Sequence, residues 1–220
     1  MDYVLNFSVV WRSFDHLLGG LGLSLLLALG SILIGIVIGL VVSFALVSTS
    51  GIARRLAGLY VTVTRNTPLL VLVLFVYFAL PDLGIRLGDI ESFVATLAIY
   101  SGGYLAEVFR AGLLSVPKGL SEAGQAIGLK KMQIRLSIMM PIMFRNVLPA
   151  LGSTVISLFK DTSLAAAIAV PELTFQARKI NVESFRVVET WIVASLLYVC
   201  TCAVLAMIFR RVERHLAIPR

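Results

Sequence analysis

Apolar residues run along this chain in five long blocks, roughly 17–47, 57–80, 92–115, 143–169 and 187–209, parted by shorter polar stretches. A hydrocarbon core of about 30 Å takes about 20 residues of helix to cross, and each block is long enough. The blocks are continuous rather than alternating apolar with polar, so helices are predicted and not barrel strands. The pattern predicts an all-α integral membrane protein with five transmembrane helices, forming a single transmembrane domain over 1–220. The first block follows Asp2, Arg12 and Asp15 and lacks the basic start and small-residue cleavage site of a secretory signal, so it is read as a retained helix.

Composition agrees. Of 220 residues 59% are hydrophobic and 14% charged, and the mean hydropathy is +0.96, well above the range of a soluble domain. The net charge of +7 is unevenly placed. Arg54 and Arg55 follow the first block, Lys118, Lys130, Lys131, Arg135 and Arg145 lie between the third and fourth, and Arg210, Arg211, Arg214 and Arg220 follow the fifth. Basic residues beside spans stay cytoplasmic, so the N-terminus is expected outside and the C-terminus inside. The charge is then a topology signal, and nucleic acid is not an expected partner. Cys200 and Cys202 sit two apart on one helix and point about 200° away from each other, which implies neither a disulfide nor a metal site. His16 and His215 are isolated, whereas a metal needs three or four convergent ligands.

Between the third and fourth blocks lies a stretch, about 116–141, too polar to span and too well patterned for a loose loop. Pro117 ends the preceding helix, and 119–127 makes about two turns with Leu120, Ala123 and Ile127 on one side. Gly128 suits the left-handed end of that helix. A second short amphipathic piece starts at Lys130 and is expected to change direction at Pro141. Two readings fit: a helix pair lying on the membrane face, or a docking element whose small residues Ala123, Gly124 and Ala126 let a partner's groove close on the backbone.

The internal spacing carries a resemblance. Glu122, Ala123 and Gly124, three residues, Gly128, nine residues, then Ile138, Met140 and Pro141 resemble the E-A-A-x3-G-x9-I-x-L-P loop of bacterial ABC importer permeases, with Gly124 for the third small residue and Met140 for Leu. The stretches YVTVTRNTPLL (60–70), YLAEVFRAGLLSVPKG (104–119) and SLFKDTSLAAAIAVPEL (157–173) resemble the polar amino-acid branch of that family, the histidine, glutamine, glutamate and cystine type. The resemblance implies a type I permease subunit in a bacterial cytoplasmic (inner) membrane, with 116–141 as coupling loop. It also implies four kinds of partner: a second permease subunit, two ATP-binding subunits, an extracytoplasmic substrate-binding protein and the amino-acid passenger. Glu122, Ala123, Gly124, Gly128, Ile138 and Pro141 become the candidate ATPase-coupling residues. The chain itself has no G-x4-G-K-[ST] phosphate loop, so no cofactor is expected on it. ATP and magnesium are assigned to the partner ATPase subunits. A membrane scaffold that docks cytoplasmic proteins without transporting is the alternative.

The fourth block holds Lys160 and Asp161 side by side. Helical pairs lie three or four apart, so these two do not face each other. Ser153, Thr154, Ser157, Lys160 and Asp161 fall within an arc of about 120° at about 100° per residue. A charge at mid-membrane costs about 2.5–3.5 kcal/mol and needs a partner or a wet cavity. Either the stripe locks the bundle or it lines a substrate path, where Asp161 suits an ammonium, Lys160 a carboxylate, and Thr154 and Ser157 lend hydroxyls. Related permeases resemble N-E-F-x-S-L-x-K-D-T-S-L here, while this chain has Ser153 and Thr154 at the Asn and Glu positions, which favours neutral polar or acidic passengers over cationic ones. Gly103, beside Gly102, is either a close-approach point for the substrate or a packing position. Gly35 and Gly39 form a small-xxx-small pair, Glu107 and Arg110 are spaced to pair, and Pro68 is expected to disturb the second span just after Arg65.

Overall fold

The structure is a computed structural model that describes residues 4–216. Among the described residues every regular element is helical. After a short α1 (Ser8–Arg12) comes α2 (Phe14–Leu46), apolar around its whole circumference as suits a span between lipid and packed neighbours. An amphipathic α3 (Gly51–Asn66) follows, then α4 (Leu69–Leu74), prolonged by a π-helical turn at Phe75–Ala79. Next come α5 (Asp89–Leu114), α6 (Lys118–Ala126) and α7 (Lys131–Gln133). A π-helical turn at Ile134–Met139 leads into α8 (Met140–Asp161), which ends in a 3-10 turn, Thr162–Ile168. The last helices are α9 (Leu173–Ser184) and α10 (Val187–Leu216).

Four uninterrupted helices are long and apolar enough to cross a membrane: Phe14–Leu46, Asp89–Leu114, Lys131–Ile168 and Val187–His215. The fifth candidate, expected as one block over 57–80, is a broken pair, Gly51–Asn66 and Leu69–Ala79, bent by 102°. The cause is local. Pro68 takes φ −58° and ψ 133° as the residue ahead of α4, it has no N–H to continue α3, and it disfavours helical geometry at Thr67, which lies outside both helices. The change of direction expected at Pro141 does not occur, and the helix runs through it from Lys131 to Ile168. The wide turn at Ile134–Met139 and the place of Pro141 in the first turn of α8 make the missing N–H harmless.

The chain divides into two compact units. The first contains the described residues up to Leu33, with Thr67–Ala98 and Ile156–Val204. Its core joins Val10, Leu17, Leu173, Ala177, Ile180, Val193 and Ala194, from α1, α2, α9 and α10. The N-terminal segment is strapped to the start of α10 and the residue before it: Asn6 N donates to Glu189 Oε1 at 2.8 Å and Arg186 Nη1 to Val4 O at 3.1 Å. The second unit contains Ile34–Asn66, Ile99–Val155 and the described residues from Leu205. There Leu105, Phe109 and Leu113 of α5 pack on Met143 and Val147 of α8, with Ile36, Leu40 and Phe44 of α2 alongside. The small-xxx-small pair brings α2 against α5 at backbone distance. A Cβ on Gly35 would lie 2.0 Å from Ser101 Oγ, and one on Gly39 2.8 Å from Leu105 Cβ.

Candidate functional site

The end of α8 is anchored by its apolar side. Leu158 and Phe159 are buried, the Phe159 ring lies 5.7 Å from that of Tyr198, and the buried Thr162 hydroxyl donates to Phe159 O at 2.7 Å. The same helix turns Ser157 and Lys160 outward and leaves Asp161 half-buried. Among the described residues neither Lys160 nor Asp161 makes an ion pair or a side-chain hydrogen bond. Earlier on α8, Ser153 is exposed and Thr154 half-buried, and both hydroxyls donate to Ala150 O, at 2.9 and 2.8 Å. Their lone pairs remain for an incoming donor. The backbone passes from α to 3-10 geometry directly after Asp161 and reaches a left-handed Ala169, φ 62°.

Gly103 stands apart from this stripe. It is buried on α5, where an added Cβ would lie 2.0 Å from Thr64 Oγ1, and Gly102 meets Ile38 and the Tyr60 hydroxyl in the same way. The pair is a packing seam for α2 and α3, and Thr64 is the side chain that comes close to Gly103. The Tyr60 hydroxyl crosses the seam to donate to Ile99 O.

The candidate coupling residues gather at α6. Pro117 precedes the helix, and Glu122 and Ala123 are exposed. Leu120 is 41% exposed and Ile127 76%, so the expected common side of α6 faces outward. Gly124 does the opposite. It is buried, and a Cβ there would lie 3.0 Å from Ile138 Cδ1 and 3.1 Å from Ile134 Cγ1, so its smallness serves the contact of α6 with the Ile134–Met139 turn. Gly128 takes φ +84°. Its N–H donates to Gln125 O at 2.9 Å and that of Leu129 to Gly124 O at 3.0 Å, the crossed pair that closes a helix on a left-handed residue. Lys130 N then donates to Gln133 Oε1 at 2.8 Å and starts α7. Ile138 is half-buried and Pro141 exposed.

Glu172 is fully buried. Its Oε2 lies 3.1 Å from Ser24 Oγ and accepts from the Tyr198 hydroxyl at 3.0 Å, while Oε1 accepts from Phe175 N at 2.9 Å and caps α9. Burial pushes its carboxyl above the usual carboxylate range against the pull of these donors. The dipeptide Pro171–Glu172 ahead of a helix was the available signal, since a carboxylate suits that cap. Glu107 and Arg110 pair as their spacing predicts, with Arg110 Nη2 2.7 Å from Glu107 Oε2 and Nε 3.1 Å from both oxygens.

Comparison with known proteins agrees with this architecture. The family described as binding-protein-dependent transport system inner membrane component matches residues 17–218. The glutamine transport system permease protein GlnP of Escherichia coli is 37% identical over 215 residues, covering 97% of this chain and 98% of that protein. The L-cystine transport system permease protein TcyB of Bacillus subtilis is 33% identical over 96% of this chain and 92% of its own length. Among solved structures, one described as an amino acid ABC transporter with histidines superposes with a TM-score of 0.88 at 28% identity, covering 97% of this chain and all of that one. A MetNI methionine ABC transporter structure, at 21% identity over 94% of this chain and 99% of its own, shows the same fold with a TM-score of 0.82.

Proposed function

The chain belongs to the family of binding-protein-dependent transport system inner membrane components, and on that premise we propose that it is the permease subunit of an ATP-driven importer of a polar amino acid. The observation that carries the pocket is the end of α8, where Lys160 and Asp161 present opposite charges with no ion pair or side-chain hydrogen bond among the described residues. Charges left so in a span call for a wet path or a partner. A zwitterionic amino acid answers both: its ammonium meets Asp161 and its carboxylate Lys160, with the Ser157 hydroxyl about one turn and the Thr154 hydroxyl about two turns earlier on the same helix. Thr154 in place of a carboxylate favours a neutral polar passenger, and the likeness to a glutamine permease supports this.

ATP and magnesium are held by two partner ATPase subunits. The exposed side of α6, with Glu122 and Ala123, is the surface they push, and Gly124, Gly128, Ile138 and Pro141 shape the joint that passes the push on. Only a contact that differs between the nucleotide-bound and free states shifts the equilibrium between outward and inward access. A second permease subunit and an extracytoplasmic binding protein complete the complex, and the N-terminus lies outside.

The test is uptake by the complex reconstituted in vesicles with its ATPase and binding protein. ATP-dependent accumulation of an amino acid is expected, and its competition by acidic, neutral and basic amino acids identifies the passenger. Asp161→Ala should abolish uptake in a complex that still assembles. Uptake at normal substrate affinity would return Asp161 to a purely structural role.

A further inference from the structure

Helices α3 and α5 meet along one pair of stripes and part along the next. Tyr60 and Thr64 of α3 close on Gly102 and Gly103 of α5. One step round each helix, Gly58, Thr62, Arg65 and Asn66 of α3 face Tyr104 and Glu107 of α5 across a cleft of about 440 Å³. That volume lies within the range of small-molecule sites. All of it belongs to the second unit, and none of its residues is on α8.

The chemistry of the cleft is asymmetric. Glu107 is already held by Arg110 through both carboxylate oxygens. Arg65 makes no ion pair among the described residues, and its guanidinium carbon lies 5.4 Å from the centre of the Tyr104 ring. Stacking fixes the plane of a guanidinium while leaving its edge of N–H donors open, the edge that reads a carboxylate in two parallel bonds. Tyr104 adds a donor to the same place, since its oxygen accepts from Tyr100 at 3.1 Å and its own proton is left to give. Asn66 gives one amide proton to Thr62 O at 2.7 Å and keeps its carbonyl oxygen as an acceptor. With Arg65 and Arg110 against Glu107, the local formal charge is about +1 before any passenger arrives, counting each guanidinium and carboxylate as ionised.

We infer that this cleft is a second amino-acid site, built from other residues than the α8 stripe, in which Arg65 and the Tyr104 hydroxyl take the α-carboxylate and the free lone pairs of Glu107 and Asn66 face the ammonium. The inference rests on the permease reading above, and it adds a second place on the chain where a zwitterion can rest. A bare inorganic anion lacks the ammonium and uses only half of the donors and acceptors present.

Equilibrium binding to the purified permease–ATPase complex, without nucleotide or binding protein, tests it. The probes are L-glutamine, L-cystine and L-arginine, each compared with its α-carboxamide, in an Asp161→Ala background that removes the α8 contribution. Saturable binding of one of the three is expected to persist there. Arg65→Gln should weaken it about tenfold or more, the loss of a hydrogen bond to a charged group, and Arg65→Lys should restore part. The α-carboxamide should bind alike with Arg or Gln at position 65. No saturable binding in the Asp161→Ala complex, an affinity indifferent to Arg65→Gln, or displacement by inorganic phosphate as strong as by the amino acid would overturn the site; the last would mark a general anion or lipid-headgroup contact. ATP-driven uptake by the wild-type complex is scored separately, so the permease reading stands or falls without this result.

Discussion

Glu172 shows how much a single side chain can organise. A carboxylate with no solvent exposure is held by Tyr198, the Ser24 hydroxyl and the Phe175 amide, with no cation among these contacts. Its raised pKa means that the folded state binds the proton more tightly than the unfolded chain does. The stability linked to that proton is full below the ordinary glutamate value of 4.5 and is lost as pH rises through the higher folded value. The melting temperature of the complex in detergent, taken relative to that of Glu172→Gln, should therefore fall as pH rises from about 4.5. Parallel profiles for the two proteins would refute this. Such a site is hard to read from sequence because Ser24 is 148 residues away and no local pattern announces the contact. Gly103 gives the converse lesson. A glycine in a span signals that something comes close, and only the structure says that Thr64 does so here.

At the scale of elements, the punctuation marks were the legible part. Pro117 and Gly128 bracket α6 to within a residue or two, because a proline without an N–H and a left-handed glycine leave little choice to the backbone between them. Gly128→Val forces a β-branched residue into that conformation, at a cost of about 1–2 kcal/mol. Fewer amino acids moved per ATP hydrolysed are expected from the reconstituted complex, with the subunits still associated. An unchanged ratio would separate the closure of α6 from coupling. Prolines inside apolar runs were less legible. Pro68 breaks its run, because it disfavours helical geometry at Thr67 ahead of it, whereas Pro141 breaks nothing, because a wide turn precedes it. The two look alike in sequence, since hydropathy carries no trace of whether the preceding turn can widen.

For the molecule as a whole, the bent pair decides the parity of the chain. Counted as a crossing, it makes five and puts the termini on opposite sides; counted as a re-entrant segment, it leaves four and puts them together. The basic residues settle the expectation, because only five crossings bring Arg54 and Arg55, the 116–141 loop and Arg210, Arg211 and Arg214 to one side. Alkaline phosphatase, active only outside the cytoplasmic membrane, should be inactive when fused after Arg220 and active when inserted near Gly84. Activity at the C-terminus would reverse the count. The Glu172 network bears on how such a chain is made. Ser24 is already synthesised when Glu172 emerges from the ribosome, but Tyr198 follows 26 residues later. Until then the carboxylate lacks the donor from α10, and α9 is capped by a group whose own shell is incomplete. Closure of this part of the protein therefore waits on α10, and a chain cut short before Tyr198 keeps an acid without one of its donors as its mark of being unfinished.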